Sequence, residues 1–167
     1  MTGGGSGGHI TPILAVAREL KLLQPDIRIV YISQKGDGLD DVVAADPNVD
    51  EMYSLRAGKF RRYNGDGWRQ ILDVRTVLLN IRDGGALLIG LWQSFWLLRR
   101  IRPNIMFTRG SFVSVPVCLS GAVLRIPYVT HDSDAIPSLT NGLLPVGLGY
   151  IQLLYPRNYI RIQLKKH

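Results

Sequence analysis

The chain opens with a run of glycines that leads directly into a helix-forming segment, and this run constrains the fold more than any other feature. Residues 1–12 read Met-Thr-Gly-Gly-Gly-Ser-Gly-Gly-His-Ile-Thr-Pro. Glycines let backbone N–H groups approach a ligand closely, and the N-terminus of a helix attracts anions. Apolar residues then recur at helical spacing, which predicts a helix over about Thr11–Leu23 with Pro12 in its first turn. We therefore expect a phosphate-binding turn at the start of the chain.

A turn of this kind normally follows a strand. The pattern G-x-G-x-x-G is met by Gly3, Gly5 and Gly8, but only Met1 and Thr2 precede it. The sequence therefore predicts a sheet whose first strand is missing. A flexible glycine-rich leader is the simpler alternative. The apolar periodicity after Ile10 favours the turn.

Composition narrows the class of protein. A chain of 167 residues with 46% hydrophobic residues predicts one α/β domain with a substantial core. The single cysteine, Cys118, excludes a disulfide framework and a cysteine-based metal site, and its apolar neighbours predict a buried thiol rather than a nucleophile. The first residues have neither the basic nor the apolar segment of a signal peptide, which predicts a cytoplasmic protein.

Charge is distributed unevenly along the chain. Up to Leu55 there are 4 basic and 8 acidic residues, whereas from Arg56 onward there are 16 basic and 5 acidic residues. A basic half indicates an anionic partner: a nucleic acid, an anionic membrane surface or a phosphorylated substrate. A basic surface that simply faces solvent is the alternative interpretation.

Short β-branched runs alternate with helical patterns. Strands are predicted at Ile27–Ile32, Val49–Leu55, Asn104–Thr108 and Pro127–Thr130. Helices are predicted at Thr11–Leu23, Leu39–Ala45, Arg69–Asn80, Ala86–Arg100 and Val113–Leu124, with a break at Gly84–Gly85. This alternation predicts an α/β fold with a Rossmann-like, doubly wound parallel sheet. Ligands bind such sheets at the carboxyl ends of the strands, so the glycine-rich turn, Arg109–Ser114 and His131–Asp134 are expected on one rim.

An uncharged segment lies in the basic half. It spans Gly84–Leu98, is too short to cross a membrane, and carries Trp92 and Trp96. Arginines flank it on both sides, at positions 82, 99, 100 and 102. Two interpretations remain open: the helix packs against the sheet, or one of its faces lies in a bilayer interface.

Three motifs in order resemble a known family. Gly3–Pro12 reads GGGSGGHITP, Gly110–Pro116 reads GSFVSVP, and Ile126–Asn141 reads IPYVTHDSDAIPSLTN. They resemble the N-terminal, acceptor-binding domain of the MurG-type glycosyltransferases. The sequence departs from the family pattern at Ser111, where the family has glycine, and at Asp132–Asp134, where it has Glu-Gln-Asn.

The resemblance implies the N-terminal half of a GT-B fold. The family transfers N-acetylglucosamine (GlcNAc) from UDP-GlcNAc to lipid I, giving lipid II, at the cytoplasmic face of the plasma membrane as a peripheral protein. Residues 1–141 would form the acceptor domain and residues 142–167 an atypical tail, with the C-terminal donor-binding domain absent and the isolated chain inactive. A fragment of such an enzyme is one interpretation. A natural acceptor-side subunit, with a donor-binding domain supplied in trans, is the other.

The resemblance also assigns roles to residues of the rim. Inverting transfer needs a base, and His9 suits this role because a helix N-terminus favours a neutral imidazole. Hydrogen-bond donors to the phosphates of the leaving UDP are expected at Ser6, Gly7 and Gly8. The acceptor pyrophosphate is expected at Arg109, Ser111 and Ser114. Asp134 stands where the family has a ligand-contacting Asn, although a carboxylate accepts hydrogen bonds and cannot donate them. Neither a metal nor a cofactor is implied.

Two other classes share parts of this pattern. A dinucleotide-binding module requires an acid at the end of the second strand, where this chain reads Ile32-Ser33-Gln34-Lys35. A nucleic-acid-binding protein would explain the basic half, but the arginines follow no recognised motif and lie beside a tryptophan-rich helix. We therefore expect no nucleic-acid partner, and instead an anionic membrane surface.

Overall fold

Strands and helices alternate through most of the chain. A computed structural model describes residues 1–4, 7–58, 74–132, 150–154 and 160–162. The helices are α1 (Gly7–Leu23), α2 (Asp40–Ala44), α3 (Val74–Ile101) and α4 (Ser114–Val123). The strands are β1 (Val30–Gln34), β2 (Glu51–Leu55), β3 (Met106–Thr108), β4 (Tyr128–Asp132), β5 (Tyr150–Leu154) and β6 (Ile160–Ile162).

The strands form a largely parallel sheet. Strand β1 pairs with β2, β3 pairs with β4, and β4 pairs with β5, each in parallel, whereas β6 is antiparallel to β5. Thr2 makes parallel bridges to Ile32 of β1 and Thr108 of β3, and it joins the two groups of strands. The order across the sheet is therefore β2, β1, Thr2, β3, β4, β5, β6.

Met1 and Thr2 hold the central place that the sequence predicts for a first strand. The amide of Thr2 donates to the carbonyl of Phe107 (2.9 Å), and the amide of Ile32 donates to the carbonyl of Met1 (2.9 Å). The amine of Met1 donates to the carbonyl of Val30 (2.6 Å). Burial lowers the pKa of this amine to about 6. The glycine-rich turn is thus attached to a two-residue strand at the middle of the sheet.

Apolar cores cover both faces of the sheet. On one face Ile32 and Met106 pack with α3 and α4 through Leu98, Val117 and Cys118. On the other face α1 and α2 contribute buried Ile13 and Val43, which pack with Tyr31. Adjacent residues of β1, Tyr31 and Ile32, therefore point to opposite cores, as the two-residue period of a strand requires. This arrangement confirms the doubly wound α/β fold.

Cys118 lies in the core formed by α3 and α4. Its side chain is fully buried, and burial raises the pKa of its thiol to about 12. The thiolate does not form at neutral pH, so the prediction of a buried, unreactive cysteine is confirmed.

Several predicted boundaries were wrong. Helix α1 begins at Gly7 rather than at Thr11, so Pro12 lies in its second turn. Helix α3 runs without a break through Gly84 and Gly85, where the sequence analysis ended one helix and began another. Each mid-helix glycine costs only about 1 kcal/mol, and the packing of α3 against α4 exceeds that cost. The strands β5 and β6 lie within the segment predicted as a tail, where no strand was predicted.

Two glycines permit close approach to α3. A Cβ at Gly90 would overlap the carbonyl oxygen of Arg56, and a Cβ at Gly58 would overlap that of Asp83. The side chain of Gln93 also accepts a hydrogen bond from the amide of Arg56 (3.1 Å). These contacts fix the start of the loop predicted at Arg56–Trp68. The remainder of that loop lies outside the described residues.

Candidate functional site at the carboxyl rim

Three threonines lie in register near the carboxyl ends of the central strands. Thr2 is in register with Thr108, and Thr108 is in register with Thr130 of β4. All three side chains are buried, and the hydroxyl of Thr2 donates to the carbonyl of Ile32 (3.0 Å). The chain that follows each threonine therefore emerges at the same edge of the sheet. The prediction that these three segments share one rim is confirmed for their described parts.

The first segment, residues 3–8, is here named the glycine turn. A Cβ at Gly3 would overlap the Cδ1 atom of Ile13, and a Cβ at Gly4 would overlap a carboxylate oxygen of Asp37. The backbone therefore packs directly on α1 and on the loop after β1, which only glycine allows. Gly5 and Ser6 lie outside the described residues, so the predicted role of Ser6 stays a prediction.

The glycine turn runs into the first turn of α1. Gly7 and Gly8 are exposed there, and no atom lies within 4 Å of a Cβ built at Gly7. N–H groups in a first turn have no partner within the helix, so they are suited to donate hydrogen bonds to an anion. The backbone of His9 lies in the same turn. Its imidazole lies outside the described part of the structure, and its catalytic role remains a prediction.

The second segment, residues 109–114, is here named the serine loop, and it is held by hydroxyl groups. The hydroxyl of Thr108 donates to the hydroxyl of Ser114 (2.6 Å) and accepts from the amide of Gly110 (3.2 Å). The hydroxyls of Ser111 and Ser114 lie 3.0 Å apart. Ser114 is fully buried, whereas Ser111 is partly exposed. The serine loop therefore presents Ser111 on a frame supplied by Thr108 and Ser114.

Gly110 is required by the conformation of the serine loop. Its φ angle is 78°, in the left-handed region that other residues enter at a cost. The family glycine retained here, Gly110, is therefore the one that the backbone needs. Ser111 stands at the other family glycine and has no positive φ angle.

Arg109 connects the two segments. Its guanidinium donates to the carbonyl oxygen of Gly8, in the first turn of α1. The sequence analysis placed Arg109 on a ligand and did not find this contact, because no local pattern links residues 101 positions apart. The close approach of Asp37 to Gly4 was also not predicted, since Asp37 follows β1 in an ordinary Asp-Gly turn. The predicted ligand contact of Asp134 falls outside the described residues.

A second surface lies on α3. Leu88, Ile89, Trp92 and Trp96 are exposed, with 68% of Trp92 and 53% of Trp96 accessible to solvent. Among the described residues, no helix is long and apolar enough to cross a membrane. Within those same parts of the chain, no three His, Cys, Asp or Glu side chains are grouped to hold a metal ion.

These features have a counterpart among known proteins. Residues 1–148 match the glycosyltransferase family 28 N-terminal domain. The chain belongs to this family, as its three motifs predicted, and it is therefore of the glycosyltransferase class. The chain spans only about a third of the length of the curated relatives it matches, whose covered share is 36%.

Two of these relatives are each named UDP-N-acetylglucosamine--N-acetylmuramyl-(pentapeptide) pyrophosphoryl-undecaprenol N-acetylglucosamine transferase. The protein of Treponema pallidum (strain Nichols) is 38% identical over 155 residues, which are 93% of this chain and 36% of the relative. That of Clostridium novyi (strain NT) is 36% identical over 143 residues, 86% of this chain and 36% of the relative.

The fold has a solved counterpart. The crystal structure of Acinetobacter baumannii MurG matches with a TM-score of 0.66 and 19% sequence identity, over 94% of this chain and 42% of that chain. At this identity the likeness bears on the fold alone. It agrees with the Rossmann-like half of a GT-B fold that the sequence predicted.

Proposed function

We propose that this chain is the acceptor-side half of an inverting GlcNAc transferase that converts lipid I to lipid II. The observation that carries the proposal is the shared rim. A glycine turn at a helix N-terminus and a hydroxyl-lined serine loop emerge side by side from adjacent positions in the sheet, in a chain of glycosyltransferase family 28. One such segment can receive a leaving phosphate while the other holds an acceptor pyrophosphate.

In this proposal the glycine turn serves the donor. Exposed N–H groups at Gly7 and Gly8, together with the hydroxyl of Ser6, offset the charge that develops on the leaving UDP. His9 removes the proton from the acceptor hydroxyl as that oxygen attacks the sugar. The helix dipole of α1 favours both roles, because it stabilises an anion and disfavours a protonated imidazole at the same end.

The serine loop serves the acceptor. Ser111 is the accessible hydroxyl, and Arg109 brings positive charge to the same edge. Ser114 acts from beneath by holding Ser111, since its own hydroxyl is buried against Thr108. Asp134 accepts a hydrogen bond from the acceptor. Phosphate charge is met by backbone dipoles and arginines, and no cofactor takes part.

A chimeric enzyme tests the proposal. The segment of the T. pallidum relative that matches this chain is replaced by residues 1–148, and the product is assayed with radiolabelled UDP-GlcNAc and a lipid I analogue. We expect labelled lipid II from the chimera, and none from the 167-residue chain alone or from the relative without the segment. A folded chimera that binds UDP-GlcNAc but forms no product would contradict the proposal.

The exposed face of α3 supports a further part of the proposal, a peripheral position on an anionic membrane at the cytoplasmic face. Residues 90, 94 and 98 of α3 are buried, whereas residues 88, 92 and 96 are exposed. Positions two residues apart on a helix point about 200° apart, so the two stripes occupy opposite faces. The first stripe packs on the core and the second is available to a bilayer interface.

Basic residues continue the exposed stripe. Arg99 follows Trp92 by seven residues and Arg100 follows Trp96 by four, so both extend the same face, and Arg102 is exposed just beyond the helix. Each arginine near an anionic surface contributes about 1 kcal/mol, which salt screens. The tryptophans add an apolar contribution that salt does not remove.

Vesicle sedimentation tests this part separately. We expect the chain to bind vesicles that contain anionic phospholipid, to bind neutral vesicles weakly, and to be partly released by salt. Replacing Trp92 and Trp96 by serine is expected to abolish the salt-resistant fraction. The matched control is Leu22→Ser with Leu23→Ser, since these apolar side chains at the end of α1 are 66% and 81% exposed. Equal loss of binding in both variants would remove the case for α3.

A further inference from the structure

Helix α1 contains a proline at a position where it leaves a carbonyl group without its helical partner. In an α-helix the N–H of residue i bonds to the carbonyl of residue i−4. Pro12 lies within α1 and has no N–H, so the carbonyl of Gly8 cannot receive that bond. The proline ring also crowds this carbonyl, which weakens regular helix geometry at that point. A backbone acceptor is therefore left open in the functional end of α1.

Arg109 reaches this acceptor from the serine loop. Its guanidinium donates to the carbonyl oxygen of Gly8, across 101 residues of sequence. From this geometry we propose that Arg109 is a positioning residue, which replaces the hydrogen bond that Pro12 removes and thereby fixes the first turn of α1 to the serine loop.

The position of the bond gives it a consequence for catalysis. The carbonyl of Gly8 and the N–H of His9 belong to one planar peptide unit. A donor that orients the carbonyl therefore also orients the amide of His9, which points toward the open end of the helix. The two segments of the rim become one unit, and a shift of the serine loop is transmitted to the residue proposed as the base.

This role differs from the ligand contact that the sequence predicts for Arg109. A ligand contact makes the effect of losing Arg109 independent of Pro12. A positioning role makes the two residues interdependent, because in Pro12→Ala the new N–H can bond to Gly8 within the helix. Arg109 then becomes dispensable for the first turn.

A double-mutant cycle in the 167-residue chain measures this dependence. We expect Arg109→Gln to raise the unfolding equilibrium constant about three- to tenfold, the range for an ordinary hydrogen bond, because solvent screens the charge of an exposed guanidinium. In the Pro12→Ala background the same substitution should change it less than about twofold. Arg18→Gln is the matched control, since Arg18 is exposed on the same helix. Equal effects of Arg109→Gln in both backgrounds would overturn the proposal.

The carbonyl carbon resonance of Gly8 gives a direct signature. Loss of its hydrogen bond should move this resonance upfield in Arg109→Gln, and the double variant with Pro12→Ala should move it back. If Arg109 instead has a structural role elsewhere in the serine loop, Arg109→Gln leaves the Gly8 resonance where it is in the unsubstituted chain, which would contradict the assignment even if stability changes.

A third measurement rests on the proposed function. In the chimeric transferase, Arg109→Gln should lower kcat with little change in KM for the lipid acceptor, and adding Pro12→Ala should restore most of kcat. A raised KM without rescue would show that Arg109 contacts the acceptor instead. If the chimera makes no product at all, the proposed function fails, while the cycle and the resonance still decide the role of Arg109.

Discussion

The glycine turn and the serine loop reach the same rim but obtain their shapes in opposite ways. The glycine turn is shaped by missing side chains, since Gly3 and Gly4 lie where a Cβ would overlap Ile13 and Asp37. The serine loop is shaped by hydroxyl groups that bond to one another. Packing of this kind tolerates no added atom, whereas a hydrogen-bonded loop tolerates replacements that keep a donor and an acceptor. Two segments at the same edge of the sheet thus differ in their sensitivity to substitution.

The strands that support the two segments differ as well. The serine loop follows β3, whereas the glycine turn follows Thr2, and the amine of Met1 is buried beside Val30. The described glycines 3 and 4 are therefore closely packed, and they follow a residue that bridges β1 and β3. The following predictions test the two segments against each other, beginning with the largest expected effect.

Function should separate the segments most strongly. In the chimeric transferase, His9→Ala should lower kcat about 10²–10⁴-fold, the usual loss for a general base. Ser111→Ala should mainly raise KM for the lipid acceptor, because its hydroxyl is proposed to bind and not to react. Steady-state kinetics on both variants provides the measurement. Near-full turnover of a folded His9→Ala enzyme would leave His9 as a residue of the turn only.

Stability should depend on pH through the buried amine of Met1, which precedes the glycine turn. The pKa of the amine falls from 8.0 unfolded to about 6 folded, so the unfolded chain binds more protons between these values. The free energy of unfolding should therefore be highest above pH 8 and should decrease by about 2–3 kcal/mol as pH falls to 6. Urea denaturation at pH 5.5, 7.0 and 8.5 measures this change.

The control for that titration is a chain with a few apolar residues added before Met1. The addition converts the amine to an amide and removes the titrating group, while leaving every histidine in place. Added residues also extend the central strand along an apolar cavity lined by Val30, Ile105 and Met106, so the free energy of unfolding should rise. The same pH slope in both chains would assign the effect to another group.

Adding one methyl group should distinguish positions within the glycine turn. Gly3→Ala forces Ile13 to move in a filled core and should cost about 1–3 kcal/mol. Gly7→Ala meets no atom within 4 Å and should be neutral or stabilising by up to about 1 kcal/mol, because alanine favours the helix. Thermal or chemical denaturation measures both. Equal costs would mean that the packing of Gly3 does not shape the turn.

The smallest effect is expected from the serine loop. Ser114→Ala leaves the buried hydroxyl of Thr108 without its acceptor and should cost about 1–2 kcal/mol. Ser111→Ala, at a partly exposed site, should cost less than about 0.5 kcal/mol. Ser114→Thr keeps the hydroxyl and controls for its loss, although it adds a methyl group. A larger cost for Ser111→Ala than for Ser114→Ala would contradict the roles assigned here, in which Ser114 holds the loop and Ser111 is accessible.

The α/β class, the rim and the glycine turn could be predicted from the sequence, because each has a local signal in periodicity or in glycine spacing. The predicted start of α1 was wrong because Gly7 and Gly8 have poor helix propensity, which favoured a later start. Their helical turn is helped by Arg109, which is distant in sequence. The same reason explains α3, where packing against α4 overrides two glycines.

The candidate site was predicted in its location and not in its internal contacts. Ser114 was read as a ligand contact from its place in a motif, whereas the structure buries it against Thr108. A single sequence does not tell a hydroxyl that faces a ligand from one that faces a neighbouring strand. The exposure of Trp92 and Trp96 was also left open, since helical spacing fixes that two residues share a face and not which face is covered.

The burial of Cys118 makes its thiol a probe for opening of the hydrophobic core. It is the only thiol in the chain, and it lies in the core between α3 and α4. A thiol reagent can modify it only during moments when that core opens, so the modification rate in native buffer reports the free energy of opening. By contrast, a cysteine introduced at the surface would react with the same reagent at once. Opening of this core can therefore be measured on the native sequence without any denaturant.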